Sequence, residues 1–117
     1  MRDAGFEYGA KTGRPRRVGP IDLVATRYGV RCQGATSIAL TKMDVMGYME
    51  KIPVCARYEL NGVETDEFPF PAVLGEAKPV LEYLPGWKCD ISGCRTWEEL
   101  PENARKYVEY IEKNVGC

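Results

Sequence analysis

The apolar positions between Pro20 and Gly34 predict an amphipathic helix. They recur at helical spacing, at Ile21, Val24, Ala25 and Tyr28. Pro20 suits the first position of a helix, where its missing N–H would be unpaired in any case, and Asp22 lies in the first turn. Gly34 ends the run. A helix with one apolar face of this kind packs on a sheet.

A second helix is predicted to begin at Pro101. Thr96 and Glu99 have the spacing of a capping box, which satisfies free backbone N–H groups where a helix begins. The apolar positions that follow lie on one helical face, at Ala104, Tyr107, Val108, Ile111 and Val115. The end of the chain is therefore predicted to pack against the core as a helix.

Four apolar runs predict strands. Residues 52–60 and 63–68 are separated by Asn61-Gly62, a pair that strongly favours a two-residue hairpin turn. Residues 37–40 are predicted to form a buried strand, and residues 79–84 a further strand. Together with the helices, these runs predict an α/β fold with a small antiparallel hairpin subdomain.

The composition is that of one globular domain. The chain has 117 residues, of which 44% are hydrophobic and 28% charged, and its net charge is −1. Because the charge is nearly balanced, the basic cluster from Lys11 to Arg17 favours a local pocket over a nucleic-acid-binding face. No apolar run is long enough to span a bilayer, and no signal-peptide core is found, so we expect a cytoplasmic protein without a membrane partner.

Cysteine and histidine usage limits the candidate chemistry. The five cysteines are scattered without a C-x-x-C pair, and the chain has no histidine. The cysteines are therefore interpreted as reduced thiols, and no metal site is predicted. Since histidine is the commonest general base, a reaction that needs one would have to take its base from elsewhere.

The stretch from Gly9 to Arg17 has the composition of an anion-binding loop. Its two glycines free the backbone to turn amides towards a ligand, Thr12 offers a hydroxyl, and its three arginines suit carboxylate and phosphate. Three interpretations are open: an exposed turn with solvated arginines, a DNA minor-groove binder similar to an AT-hook, and a small-anion site. The AT-hook core needs an arginine where Thr12 stands. The stretch also lacks the G-x-x-x-x-G-K-[ST] pattern of a phosphate loop.

A second candidate stretch, Thr41-Lys42-Met43-Asp44, follows the predicted strand at residues 37–40. Ligands of open α/β sheets bind at this end of the strands. One carboxylate accepts two hydrogen bonds from the ring N–H and the exocyclic amine of guanine, whereas adenine has no such pair of donors. Asp44 could therefore select GTP over ATP, with the Lys42 stem lying along the base. The alternative is a solvated ion pair.

Taken in order, these stretches resemble the C-terminal part of adenylosuccinate synthetase. The resemblance covers nearly the whole chain, in the segments EYGAKTGRPRR (residues 7–17), RY (27–28), LTKMD (40–44), YELNG (58–62), LPGW (84–87), DISG (90–93) and LPENAR (100–105). It implies the C-terminal portion of a P-loop-type nucleotide-binding α/β enzyme.

The resemblance also implies an activity. That family joins IMP to L-aspartate with hydrolysis of GTP, through a 6-phosphoryl-IMP intermediate, on the route to AMP. GTP, IMP and L-aspartate are the implied ligands, Mg²⁺ is the cofactor of the full enzyme, and the full enzyme is expected to be a homodimer. The family's phosphate loop, catalytic aspartate, catalytic histidine and magnesium ligand have no counterpart here. We therefore expect the 117 residues alone to be inactive and Met1 to fall inside a longer enzyme.

Site residues follow from the same resemblance. The aspartate-binding loop of the family is matched by Ala10, Lys11, Thr12, Gly13, Arg14, Pro15 and Arg16. Arg14 also matches the residue that contacts IMP, and Arg16 the one that contacts GTP. The guanine-recognition segment is matched by Lys42, Met43 and Asp44. No catalytic residue and no metal ligand is matched.

Four regions are expected on this basis: residues 1–19 as the aspartate and IMP loop, 20–46 as helix, strand and guanine segment, 47–95 as the hairpin unit, and 96–117 as the C-terminal helix. Two positions depart from the family pattern, since Lys11 stands where threonine is usual and Pro20 where tryptophan is usual. The alternative to a part of the enzyme is a non-catalytic GTP-binding or interaction module descended from it.

Overall fold

The computed structural model describes residues 1–117. Its elements in chain order are β1 (Ile21–Asp22), α1 (Leu23–Gln33), β2 (Lys51–Leu60), β3 (Val63–Thr65), α2 (Pro71–Leu74), β4 (Lys78–Pro85) and α3 (Glu102–Val115), with a 3₁₀ turn at Asp44–Met46. No helix among them is both long enough and apolar enough to cross a membrane.

The sheet is built around β2. β4 pairs with β2 in antiparallel register along nearly its whole length, whereas β1 pairs in parallel at Val54 and Cys55 and β3 in antiparallel register at residues 58–60. Because a strand has two edges, β1 and β3 share the edge opposite β4. The α/β class is confirmed, with a mixed sheet. The strands of the predicted hairpin unit, residues 47–95, lie in the main sheet together with β1.

The first helix begins later than predicted. Ile21 and Asp22 are drawn into pairing with β2, so α1 begins at Leu23, with Asp22 as its N-cap. The carboxylate of Asp22 accepts a hydrogen bond from the backbone N–H of Ala25 at 3.0 Å, which satisfies a free donor of the first turn. Gly34 ends the helix in the left-handed conformation, at φ 62°, as its position in the sequence predicted.

The strand predicted at residues 37–40 does not form. No backbone-to-backbone hydrogen bond involves residues 36–42, and Ile38 and Leu40 are only partly buried against the core. A strand requires a neighbour with which to pair, and none of the four strands pairs with this segment. The apolar run therefore packs as an irregular segment.

The turn of the hairpin was predicted correctly, but its second strand is shorter than predicted. Asn61 and Gly62 adopt φ of 52° and 80° between β2 and β3, as a two-residue turn demands. β3 ends at Thr65 and does not reach Phe68, whose ring instead stacks on Tyr28 with centroids 4.6 Å apart.

The C-terminal helix is confirmed, but the capping box was wrong. The carboxylate of Glu99 accepts from the backbone N–H of Arg95 at 2.6 Å, and Pro101 precedes α3 without any side-chain cap. The predicted apolar face is buried at Ala104, Tyr107, Ile111 and Val115, while Val108 is only partly buried.

The core lies between the sheet and the two longer helices. Ile52 and Val54 of β2 pack with Leu23 and with the buried face of α3. A bulge between Cys55 and Arg57 then reverses the alternation of β2, so that Tyr58 lies with Cys55 in a second, smaller cluster. Burial, together with a hydrogen bond to Asp22, raises the pKa of the Tyr58 hydroxyl above its ordinary value.

Candidate functional site

The segment at residues 9–17 forms a tight reverse turn at the surface of the chain. Tyr8 and Pro15 form an antiparallel bridge, and the backbone N–H of Gly9 donates to Arg14 O at 2.8 Å. Gly13 donates to Gly9 O at 2.8 Å and has φ of 65°, a conformation that glycine adopts without strain. The two glycines therefore close the turn, as their positions suggested.

Three of its cationic side chains, Lys11, Arg14 and Arg17, are free to contact a ligand. Every residue from Ala10 to Gly19 is exposed, and the guanidinium of Arg14 has neither a hydrogen bond nor an ion pair within the chain. The hydroxyl oxygen of Thr12 accepts from the backbone N–H of Arg14 at 3.3 Å, which leaves its proton available for donation. A hydroxyl donor and an open guanidinium fork side by side suit a carboxylate.

Glu7 joins this turn to the second candidate stretch. One carboxylate oxygen of Glu7 lies 3.3 Å from the Arg16 guanidinium, and the other lies 3.5 Å from Lys42 Nζ. The ammonium group of Lys42 also donates to the backbone carbonyl of Gly5 at 2.8 Å. The two stretches that the sequence singled out thus meet at one carboxylate.

The backbone of Lys42 is strained. Its φ is 63°, in the left-handed region that a lysine adopts at a cost. Its two side-chain contacts, to Glu7 and to Gly5, hold it in place, and the neighbouring Met43 packs partly buried against the core. Strain of this kind, held by specific contacts, is concentrated at ligand-binding sites.

A cavity of about 370 Å³ lies beneath the contact between Glu7 and Lys42. Gly19 and Pro20 form part of its wall, and Tyr107 of α3 reaches it from the core. The ring of Tyr107 packs edge-on against Trp87 with centroids 5.7 Å apart, so the core fixes this part of the cavity. Burial raises the pKa of the Tyr107 hydroxyl, which is neutral at ordinary pH.

Asp44 opens into a neighbouring cavity of about 460 Å³, where its carboxylate has no partner within the chain. Tyr48, Cys89, Asp90 and Ser92 line the same cavity. The backbone N–H of Ser92 donates to Asp90 at 2.8 Å and lowers the pKa of that carboxyl, so Asp90 is ionised at neutral pH. Val45 lines both cavities, which are therefore adjacent.

The prediction that Asp44 follows a strand was wrong. Asp44 begins the 3₁₀ turn Asp44–Met46, and its carbonyl accepts from the backbone N–H of Gly47 at 3.1 Å. A side chain at Gly47 would bring its Cβ to 2.5 Å from the Cys89 carbonyl, so this turn packs closely on the 89–92 segment. The position of Asp44 is thus set by the chain on both sides.

No cluster of metal-binding side chains is found in the chain. No group of three or more His, Cys, Asp or Glu side chains converges on one point where it could hold a metal ion. The residues present therefore offer no all-protein cage for the Mg²⁺ expected of the full enzyme. The five cysteines are unpaired, and only Cys55 among them is buried.

Sequence reasoning missed the residues that connect the candidate stretches. Glu7 entered only as the first residue of a matching segment, and its position two residues before Gly9 carries no signal of an ion pair with Lys42. Asp90 and Cys89 were given no chemistry, yet they share the cavity of Asp44. These pairs are far apart in the sequence, so no short-range pattern could have found them.

The comparisons with known proteins agree on one family. A family model described as adenylosuccinate synthetase matches residues 1–117. The adenylosuccinate synthetase of Geobacter sulfurreducens is 49% identical over 118 residues and that of Pelobacter propionicus 48%; each match covers 100% of this chain. A solved structure of fully ligated adenylosuccinate synthetase from Plasmodium falciparum is 39% identical, covers 99% of this chain and superposes with a TM-score of 0.90. This chain spans 27% of both bacterial relatives and 28% of the Plasmodium falciparum chain.

Proposed function

The chain belongs to the adenylosuccinate synthetase family, and we propose that it is the C-terminal part of such an enzyme, where it holds L-aspartate, part of IMP and the guanine base of GTP. The full enzyme ligates IMP and L-aspartate with GTP hydrolysis to form adenylosuccinate. One observation carries this proposal: the two predicted binding stretches, distant in sequence, meet at Glu7 beside two adjacent cavities.

The turn at residues 10–16 binds L-aspartate. The free guanidinium of Arg14 and the Thr12 hydroxyl grip the carboxylates of the amino acid, and Arg14 also reaches IMP. Lys11 places a flexible cation where the family usually has a threonine hydroxyl, so this chain adds a charge contact in place of a directional hydrogen bond.

The segment Lys42-Met43-Asp44 recognises guanine. The unpartnered carboxylate of Asp44 accepts from the ring N–H and exocyclic amine of the base, while Lys42 lies along the base and Met43 anchors the segment in the core. Arg16 supplies a further GTP contact from the neighbouring turn. These residues bind and orient ligands, and neither they nor their neighbours provide a phosphate loop or a histidine.

Catalysis therefore needs the rest of the enzyme. A phosphoryl transfer depends on positioned phosphates, a base and Mg²⁺, and these are supplied outside this segment. We expect a cytoplasmic homodimer for the full enzyme and no turnover from the 117 residues alone.

Nucleotide selectivity tests the proposal. In calorimetric titrations of the purified chain, GTP is expected to bind about 100-fold more tightly than ATP, because adenine would leave the Asp44 carboxylate without donors. A thermal unfolding transition serves as the control for folding. A folded chain that bound neither nucleotide, or both equally, would contradict the assignment of the guanine site.

A further inference from the structure

We propose that Glu7 is a positioning residue that couples L-aspartate binding to GTP binding. This inference rests on the function proposed above. It concerns a residue that contacts neither ligand in that account and acts through Arg16 and Lys42.

The geometry of Glu7 is that of a bridge. Its two carboxylate oxygens are divided between two cations, Arg16 at 3.3 Å and Lys42 at 3.5 Å. Both cations are more than half exposed, at 59% and 57%, whereas the Glu7 side chain is 26% exposed. The carboxylate is thus the most buried member of the network, and the two more exposed cations lie on either side of it.

The backbone fixes Glu7 in this position. Its N–H donates to Arg2 O at 3.0 Å, and its carbonyl accepts from the N–H of Arg16, also at 3.0 Å. The guanidinium of Arg2 in turn donates to Arg16 O at 2.7 Å. The base of the turn is therefore held by backbone contacts, while the side chains of Thr12 and Arg14 at its tip make no hydrogen bond outside the turn.

Lys42 depends on the same carboxylate. Its left-handed backbone costs free energy, and its ammonium group has two partners, Glu7 and the carbonyl of Gly5. Without Glu7, one of the two contacts that hold this conformation is lost. Lys42 would then sample other positions, and GTP would have to order it on binding.

Coupling follows from this shared contact. Aspartate bound at the tip orders the turn and with it Arg16, which fixes the Glu7 carboxylate and so Lys42. GTP then binds to a segment that is already ordered, so its binding no longer includes the free-energy cost of ordering Lys42. By linkage, bound GTP tightens aspartate binding by the same factor.

Equilibrium titration of the full 117-residue chain tests this coupling. GTP is titrated by calorimetry without and with saturating L-aspartate, in the wild-type chain and in Glu7→Gln. We expect aspartate to tighten GTP binding about fivefold or more in the wild type, in the usual range of coupling between sites. Glu7→Gln is isosteric, so we expect it to fold normally and to show a ratio of affinities close to one.

The control is the same chemical change at another exposed ion pair. Glu67→Gln removes the charged partner of Arg31 at 3.7 Å, lines neither cavity, and is expected to leave the ratio at its wild-type value. If the role of Glu7 is merely structural, Glu7→Gln would lower the melting temperature and weaken GTP binding equally with and without aspartate. The ratio of affinities would then be unchanged.

The outcomes separate the two proposals. If the wild-type chain binds no GTP, the proposed function of this segment fails, and the coupling fails with it. If the wild type binds GTP but aspartate has no effect, or if Glu7→Gln keeps the wild-type ratio, the positioning role of Glu7 is overturned while the guanine site stands.

Discussion

Gly86→Ala is expected to destabilise the chain by about 3 kcal/mol, at the upper end of what overpacking a tight site costs. A Cβ at this position would lie 2.0 Å from the carbonyl oxygen of Met49 and 2.9 Å from its carbonyl carbon. Both atoms are backbone, so no side chain can rotate away, and the end of β4 must separate from the start of β2. In thermal unfolding this corresponds to a fall in melting temperature of about 12 °C.

The same backbone shift would reach the candidate site. The N–H of Gly86 donates to Glu50 O at 2.9 Å, and its carbonyl accepts from the side chain of Asn103, also at 2.9 Å. Gly86 therefore ties the sheet to the start of α3, which carries Tyr107 into the first cavity.

Two glycines provide matched controls for Gly86→Ala. Nothing lies within 4 Å of a Cβ built at Gly75 or at Gly29, and neither has positive φ. Gly29 lies inside α1, so Gly29→Ala is expected to stabilise the chain by about 0.5–1 kcal/mol through helix propensity. A Gly86→Ala chain whose melting temperature was no lower than those of these two controls would contradict the close packing described for Gly86.

Asp44→Asn is expected to weaken GTP binding about 100-fold and to move the preference of the site towards xanthosine triphosphate. A carboxylate accepts from both the N1–H and the 2-amino group of guanine. An asparagine amide offers one acceptor and one donor, so its NH₂ faces the guanine amine and one pair is lost. Xanthine carries a carbonyl in place of that amine and matches the amide.

Calorimetric titration with GTP, xanthosine triphosphate and ATP reads this change directly. Asp90→Asn is the matched control, because Asp90 lines the same cavity but its carboxylate already accepts from Ser92. In Asp90→Asn, GTP is expected to remain the nucleotide that binds most tightly of the three. Equal losses for the three nucleotides in Asp44→Asn would show that Asp44 supports the fold and does not read the base.

Local signals predicted the parts of the fold that short segments determine. The left-handed turn residues at Gly34 and at Asn61-Gly62 fix where a helix ends and where a hairpin turns, since few other residues tolerate that backbone. The buried face of α3 likewise follows from its own spacing.

Pairing between distant segments could not be predicted in this way. Ile21 joins the sheet because Val54 lies beside it, although its own pattern favours a helix. Residues 37–40 have the composition of a strand, but no strand of this chain pairs with them. Register and neighbours are properties of the assembled sheet, and a propensity read along one segment does not contain them.

The candidate site, like the fold, could be predicted from the sequence only in part. The cations and Thr12 of the turn, and Asp44, were singled out because their residue types suit carboxylate, phosphate and guanine. The contact that joins them was not found, because Glu7 and Lys42 are brought together only by the fold. Whether these residues bind aspartate, IMP and GTP stays a prediction.

Exchange of this chain into a working enzyme tests the central proposal most directly. The chain would replace the matching 118 residues of the Geobacter sulfurreducens synthetase, to which it is 49% identical. The measurement is the rate of adenylosuccinate formation from IMP, L-aspartate and GTP with Mg²⁺. We expect the chimera to turn over, and the same chimera with Arg14→Leu to lose nearly all activity at ordinary aspartate concentrations. A folded chimera without activity, or one indifferent to Arg14→Leu, would contradict the proposal that these residues supply the substrate contacts of the enzyme.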